Sequence, residues 1–260
     1  MSREEHTGAI NSGPREWDAE TYDAVSDPQF EWGLSVLERL ELRGDELALD
    51  AGCGSGRVSA ELLKKLPQGS LLAVDGSEQM IAKAKERLGD RATYLVADLS
   101  ELEVAEPVDL VFSTATFHWI PDHARLFAQL HKAIRPGGRL VAQCGGEGNV
   151  ASHAAAIRTV TERSEFAPYF QDLSGMWNFA APDVTEERLR DAGFAEARCW
   201  LQPWPVTPEH PYEFITTVTI GPHLARLPEE LRRPFAEAIL EVSAQPLTLD
   251  YMRLNIEATA

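Results

Sequence analysis

The chain has 260 residues, of which 44% are hydrophobic and 25% charged, a composition typical of a globular protein with a sizeable core. Its formal net charge of -17 argues against a nucleic-acid ligand, because phosphate backbones are bound by clustered Lys and Arg. The sequence has no apolar run long enough for a membrane helix and its first residues are polar, so we expect neither a membrane segment nor a signal peptide.

The first half of the chain alternates helical patterns with short apolar runs. Residues 1–16 are predicted to form a flexible arm, and residues 17–260 a single domain. Helical spacing predicts helices in QFEWGLSVLERL, RVSAELLKKL, SEQMIAKAKERLG (capped by Ser77 and ended by Gly89) and DHARLFAQLHKAI. Apolar runs predict strands in ELALDAG, SLLAVDGS, ATYLVADLS, PVDLVFSTA and RLVAQCGG, the last reached through a turn at RPGG. This alternation is typical of a parallel sheet covered by helices on both faces.

After Gly146 the alternation is less regular. Helices are predicted in NVASHAAAIRTVTER, TEERLRDAGF, YEFITTVTIGPHLARL and PEELRRPFAEAILEV, and strands in AEARCWLQPW and LTLDYMRLNIEAT. The elements over 149–182 and 205–246 are predicted to form a helical cap. The predicted fold is therefore α/β, a doubly wound, mostly parallel, seven-stranded sheet with a helical cap insertion.

Cysteine and histidine usage argues against disulfides and metal sites. Cys53, Cys144 and Cys199 are scattered along the chain without a CxxC pair. We therefore expect a reduced, cytoplasmic protein with no disulfide framework and no zinc site. The histidines show no spacing typical of metal ligands, so we expect no bound metal.

The stretch LALDAGCGSGRVS follows the first predicted strand and contains three glycines at alternate positions. A dinucleotide site favours G-x-G-x-x-G, but Arg57 stands where its third glycine would be, and Asp50 would repel a pyrophosphate. A nicotinamide oxidoreductase is therefore the weaker hypothesis. A cationic, zwitterionic ligand fits better, because Asp50 favours an ammonium or sulfonium while the glycines admit its chain against the backbone.

The quoted glycine stretch also carries a family resemblance. LDAGCGSG, with AVDGS downstream, resembles motifs I and II of the class I S-adenosylmethionine (SAM)-dependent methyltransferases, and VADL and RPGGRL lie where that family has its later landmarks. The resemblance implies a Rossmann-like methyltransferase fold, SAM as cofactor and S-adenosylhomocysteine as product. It implies that Asp75 binds the ribose hydroxyls, that Asp98 accepts from the adenine amino group and that Met80 packs on the adenine. The implied cofactor-binding residues are Asp50, Gly52, Cys53, Gly54, Gly56, Asp75, Gly76, Met80, Asp98, Leu99, Ser113 and Thr114.

The end of the fourth predicted strand bears on the methyl acceptor. FSTATFHWIPD lacks the Asn/Asp-Pro-Pro-aromatic tetrapeptide of enzymes that methylate nucleobases or glutamine. TATFHWIPD and the helical insertion before YMRLNIEAT resemble the small-molecule branch of the family, nearest in layout to trans-aconitate methyltransferase-like enzymes. The resemblance implies methyl transfer to a small molecule, more to oxygen (a carboxylate or hydroxyl) than to nitrogen or carbon, by a monomer or homodimer. N- or C-methylation and a non-catalytic SAM-binding protein remain alternatives.

His118 is the candidate catalytic residue at that strand end. A hydroxyl or amine acceptor must lose a proton, and a histidine suits that task, whereas a carboxylate needs no base. The alternative is an idle, packed ring. The candidate substrate-binding residues are Tyr22, His118, Trp119 and Trp177, with Trp17, Tyr169, Phe170 and Met176 as further candidates for the pocket roof. Arg253 on the last strand pairs either with an acidic substrate or in an ordinary salt bridge.

Overall fold

The computed structural model describes residues 27–171 and 177–260 of the chain. The predicted arm over residues 1–16 lies outside the described residues, as do Trp17, Tyr22 and Met176. Within the described ranges, no helix is both long and apolar enough to cross a membrane.

The strands form one seven-stranded sheet in the order β3-β2-β1-β4-β5-β7-β6. Every pairing from β3 to β5 is parallel, and β7 runs antiparallel to both β5 and β6. The predicted fold class is confirmed. The strands are β1 (Leu47–Ala51), β2 (Ser70–Asp75), β3 (Ala92–Val96), β4 (Val108–Thr114), β5 (Ile134–Gly145), β6 (Glu196–Pro203) and β7 (Met252–Thr259).

Helices follow most of the strands, and the predicted helices are all present. They are α1 (Asp27–Glu38), α2 (Arg57–Lys64), α3 (Glu78–Leu88), α4 (His123–Ala133), α5 (Ala151–Thr161), α6 (Pro182–Asp191), α7 (Pro211–Phe214), α8 (Gly221–Arg226) and α9 (Glu229–Val242), with a π-helix over Ile215–Thr219. The predicted ends of α3 are confirmed, since the Ser77 side chain accepts from the Met80 N–H and Gly89 is the C-cap.

The predicted turn at RPGG is wrong, because these residues lie inside β5. The register against β4 shifts between Val108 and Leu110, so the extra residues form an irregularity within a continuous strand. Gly137 has φ 77 there, and its N–H donates to the Ala260 carbonyl at 2.8 Å. The Ala260 carbonyl thus supplies a hydrogen-bond partner for Gly137 that no local sequence pattern could indicate.

The last strand begins later than its apolar run suggests. β7 starts at Met252, whereas Leu249 makes an isolated antiparallel bridge with Val206. The helices α5 and α9 and the π-helix share a hydrophobic cluster that is separate from the cores on the two faces of the sheet. Trp32 of α1 and Tyr251 also belong to that cluster, which therefore reaches the carboxyl edge of the sheet.

Candidate functional site

A cavity of about 290 Å³ lies at the carboxyl ends of β1, β2 and β4. The sheet order reverses between β1 and β4, and such switch points are where doubly wound sheets bind ligands. Eight residues predicted to bind the cofactor line the cavity: Gly52, Gly54, Asp75, Gly76, Met80, Asp98, Leu99 and Thr114. Three predicted acceptor-binding residues line its other end, namely His118, Trp119 and Trp177.

The three glycines of the turn after β1 have different surroundings. Gly54 has φ 53, and a side chain there would meet no atom within 4 Å, so its backbone is an open surface on the cavity. A side chain on Gly52 would collide with Thr116, which follows β4. A side chain on Gly56, which has φ 80, would come within 3.3 Å of Ala84 of α3, and Gly56 does not line the cavity. Of the three glycines, Gly52 and Gly54 therefore face the cavity.

Asp75 closes β2 and joins the glycine turn to the start of α3. Its two carboxylate oxygens accept the N–H groups of Gly54 and Ser77, each at 2.9 Å. Asp75 also lines the cavity, and a carboxylate has about four lone-pair positions in all. The geometry suits a group that donates two hydrogen bonds, such as a vicinal diol.

Asp98 both caps a short helix and lines the cavity. Its Oδ1 accepts the Ser100 N–H at 2.8 Å, which caps the short 3-10 helix Leu99–Glu101. It also lines the cavity together with Leu99 and Met80, so capping and ligand contact are compatible.

Four residues of the predicted cofactor set do not line this cavity: Asp50, Cys53, Gly56 and Ser113. Ser113 is buried, and its hydroxyl donates to the Ala51 carbonyl at 2.6 Å, so it joins β4 to β1. Asp50 and Cys53 line a smaller adjoining recess that shares Gly52 and Gly54 with the cavity. Burial raises the pKa of the Cys53 thiol well above its ordinary value, with the Asp50 and Asp75 carboxylates adding to the effect, so Cys53 stays a neutral thiol.

The recess fits the amino-acid end of a zwitterionic cofactor. Gln29 of α1 lines both the recess and the cavity, and its Oε1 is buried with no hydrogen-bond partner among the described residues. An orphaned acceptor beside the Asp50 carboxyl suits an ammonium group, and Arg57 on the same recess suits a carboxylate. Sequence reasoning missed Gln29, because α1 precedes the glycine turn and carries no motif.

Asp50 is almost fully buried, and burial raises the pKa of its carboxyl from 3.8 to about 7. The Ser59 hydroxyl donates to Oδ2 at 2.7 Å and opposes the shift, whereas the charge of Asp75 adds to it. The unliganded protein therefore keeps a proton on Asp50 that the unfolded chain has already lost.

We expect Asp50→Asn to stabilise the unliganded protein at pH 8 but not at pH 4. In the native chain, the free energy of unfolding falls as the pH rises from about 4 to about 7, because the unfolded state binds fewer protons there. A shift of about three units corresponds to at most about 4 kcal/mol. Thermal unfolding of the native chain and of Asp50→Asn at pH 4 and pH 8 measures the change in stability, with the exposed Asp90→Asn as control. A stabilisation that is equal at both pH values would contradict the prediction.

His118 lies on a 3-10 helix over Phe117–Trp119 and is buried. The Gly145 N–H donates to its Nδ1 at 3.3 Å, so the neutral ring carries its proton on Nε2. Burial, with the charge of Arg253 as the next cause, holds the pKa of His118 well below its ordinary value. The ring is thus a neutral hydrogen-bond donor on the cavity and a poor general base.

Arg253 of β7 is fully buried and lines the acceptor end of the cavity. Its guanidinium carbon lies 4.1 Å from the centroid of the Trp32 ring, and its Nε donates to Gln143 Oε1 at 3.4 Å. The Gln143 amide in turn donates to Asn255 Oδ1, which also accepts from Arg39. A chain of buried amides therefore holds a positive charge at the cavity wall.

Aromatic rings form the wall opposite the glycine turn. Trp177 stacks on Phe179 with centroids 5.6 Å apart and meets Trp119 edge-on at 6.1 Å. Phe179, Trp32 and Tyr251 were missed by sequence reasoning, because nothing local separates a lining aromatic from a core one. Of the other proposed roof residues within the described ranges, Tyr169 is exposed, Phe170 is buried, and neither lines the cavity.

Ala115 is a further lining residue without a sequence signal. It has φ 56, an uncommon conformation for a residue with a side chain, and its N–H donates to the Gln143 carbonyl at 2.8 Å. The kink turns the chain from β4 toward His118. No group of three or more His, Cys, Asp or Glu side chains placed to hold a metal occurs within residues 27–171 and 177–260.

The chain is similar to known methyltransferases. A methyltransferase domain family matches residues 48–138. The chain is 34% identical over 137 residues to a trans-aconitate 2-methyltransferase of Azoarcus sp., covering 53% of this chain and 54% of that protein. It is 30% identical over 186 residues to the trans-aconitate 2-methyltransferase of Methylobacterium nodulans, covering 72% and 67%. A phosphoethanolamine N-methyltransferase 2 from Haemonchus contortus, solved with S-adenosylhomocysteine, shares the fold at TM-score 0.58 and 21% identity over 93% of this chain and 56% of that one.

Proposed function

Since the chain belongs to the class I SAM-dependent methyltransferases, we propose that it methylates a carboxylate oxygen of a small organic acid to give a methyl ester. The observation that carries the proposal is the buried Arg253 guanidinium on the wall of the cavity. A buried cation at the acceptor end complements an anionic substrate. The names of the relatives from Azoarcus and Methylobacterium, which both refer to trans-aconitate, support an acid as the acceptor class.

The protonation of His118 supports a carboxylate over a hydroxyl or an amine. An ionised carboxylate already has a nucleophilic lone pair, whereas the other acceptors must give up a proton to a base. SAM, when bound, would supply an electrophilic methyl group on its sulfonium, which a carboxylate oxygen would accept as S-adenosylhomocysteine leaves. No proton moves in this step, which suits a histidine that donates from Nε2 and stays neutral.

The protein's own part is to position and desolvate the acceptor. Arg253 offsets the charge of the carboxylate, and His118 donates a hydrogen bond that orients it. The rings of Trp119, Trp177 and Phe179 exclude water from the acceptor end. At the other end Gly54, Asp75 and Asp98 hold the cofactor, with Gln29 and Asp50 at its amino-acid group.

Release of S-adenosylhomocysteine across a panel of acids, phenols and amines tests the proposed function. We expect turnover with acids alone, with the methyl ester identified by mass spectrometry. Turnover with phenols or amines but not with acids would overturn the carboxylate assignment. Cofactor binding without turnover of any compound would instead favour the silent SAM-binding alternative.

We expect His118→Ala to raise KM for the acid by about 10- to 150-fold, the range of about 1.5–3 kcal/mol for one hydrogen bond to a charged group, and to change kcat by less than that. We also expect a kcat that is flat between pH 6 and 9, because the His118 ring does not titrate in that range. His118→Gln, which keeps a donor, recovers most of the loss, and the exposed His210→Ala serves as control. A large fall in kcat with loss of a basic limb in the pH profile would show that His118 is a base after all.

A further inference from the structure

The acceptor end of the cavity carries its positive charge in one place. Among the described residues that line the cavity, Arg253 is the one Lys or Arg, and the low pKa of His118 keeps that ring uncharged. One guanidinium matches one carboxylate. A second or third carboxylate on the same substrate would be buried without a cation of its own, which is strongly unfavourable.

Two polar side chains that line the cavity together with Arg253 bond within the protein. The Thr219 hydroxyl donates to the Ile215 carbonyl at 3.1 Å and also contacts His153 Nε2 at 2.9 Å. Asn149 Oδ1 accepts the Met252 N–H at 2.9 Å. These bonds hold the π-helix and β7 in place, and because the hydroxyl and the amide are neutral, neither side chain supplies a cation for an additional carboxylate.

One wall of the acceptor end is apolar and flat. The ring planes of Trp177 and Phe179 are 15° apart, and Ile120, Pro121 and Val218 line the cavity beside them. A planar hydrocarbon body packs well against such a wall, whereas a body that carries charged groups does not. The wall therefore favours a substrate whose remainder is unsaturated or aromatic.

The electrostatic field of the whole protein also disfavours substrates with several negative charges. The formal net charge is -17, and Asp75 and Asp98 line the cofactor end of the same cavity. A negative field slows the approach of anions in proportion to their charge. A monoanion is opposed least, so the cavity discriminates against polyanions both on approach and after entry.

From these observations we infer that the acceptor is a monocarboxylic acid with a flat, apolar body, and that di- and tricarboxylates such as trans-aconitate are poor substrates. This inference rests on the proposed carboxylate methylation. It departs from the tricarboxylate in the names of the bacterial relatives. The specificity-determining residues are Arg253, which pairs with one carboxylate, and Trp177, which selects the flat, apolar remainder of the substrate.

Competing acids separate this inference from the proposed function. With trans-cinnamate as the monocarboxylate and trans-aconitate as the tricarboxylate, we expect kcat/KM to be at least about 100-fold higher for cinnamate, because trans-aconitate would bury two further carboxylates without a cation. Equal or better turnover of trans-aconitate overturns the inference and leaves carboxylate methylation standing. Turnover of phenols or amines with neither acid methylated overturns both. Calorimetric titration of each acid into protein saturated with S-adenosylhomocysteine gives the same ranking without relying on turnover.

The role of Trp177 has its own test. We expect Trp177→Ala to raise the Kd of trans-cinnamate by about 10-fold, in the range of a lost ring contact, while the Kd of the short acid crotonate changes less than about twofold. Val242→Ala, on an exposed position of α9, should change neither. Equal losses for both acids would mean that Trp177 supports the fold and does not select the substrate.

Discussion

Replacing Arg253 with Gln should reduce kcat/KM for the acid by about 30- to 5,000-fold, chiefly through KM. This is the range of about 2–5 kcal/mol for removing one partner of a buried, hydrogen-bonded charge pair. The guanidinium is fully buried against Trp32, so the substrate carboxylate would lose its counter-charge in a place where water does not replace it. Steady-state kinetics with varied acid at saturating SAM gives the split between KM and kcat.

A matched control exists on the neighbouring strand. Arg198 of β6 also lies over an indole ring, that of Trp200 at 4.9 Å, but it is exposed and far from the cavity lining. Arg198→Gln should leave KM unchanged. In Arg253→Gln, unchanged affinity for SAM shows that the fold is intact, and Arg253→Lys, which keeps the charge, should recover part of the loss. A KM for Arg253→Gln equal to that of the native protein would remove the basis of the carboxylate assignment.

The cofactor half of the cavity was largely predictable because it is built from local signals. Parallel strands end at one edge, so residues such as Gly52, Asp75 and Asp98, each at or just after the end of a strand, meet there whatever the details of packing. The same reasoning also selected Gly56 and Ser113, which lie in the right segments but do not line the cavity. Gly56 faces α3, and Ser113 faces β1. Spacing places a residue on an element, and only packing decides which way its side chain points.

The acceptor half depends on contacts between residues far apart in the chain. Gly145 of β5 sets the tautomer of His118, and Gln143 of the same strand accepts a hydrogen bond from Arg253 of β7. No pattern within one segment carries that information. The sequence could name His118 as a candidate base, but the Gly145 N–H that donates to its Nδ1, and so leaves the proton of the neutral ring on Nε2, appears only in three dimensions.

The other large effect is expected at Asp75, where Ala should weaken SAM binding by about 10- to 150-fold. That range corresponds to about 1.5–3 kcal/mol for hydrogen bonds to a charged group. The carboxylate also accepts the Gly54 and Ser77 N–H groups, so part of any loss reflects a looser glycine turn. Calorimetry of SAM binding measures the total, with the exposed Asp90→Ala as control.

A cofactor lacking one sugar hydroxyl separates the two contributions to the Asp75→Ala effect. Native protein should bind S-adenosylhomocysteine about 10-fold more tightly than its 2′-deoxy analogue, because the carboxylate accepts from that hydroxyl. Asp75→Ala should bind both with the same affinity, whereas a variant that merely loosens the turn would weaken both and keep the preference. If the preference survives in Asp75→Ala, the sugar lies elsewhere, and the carboxylate that closes β2 serves only to shape the turn.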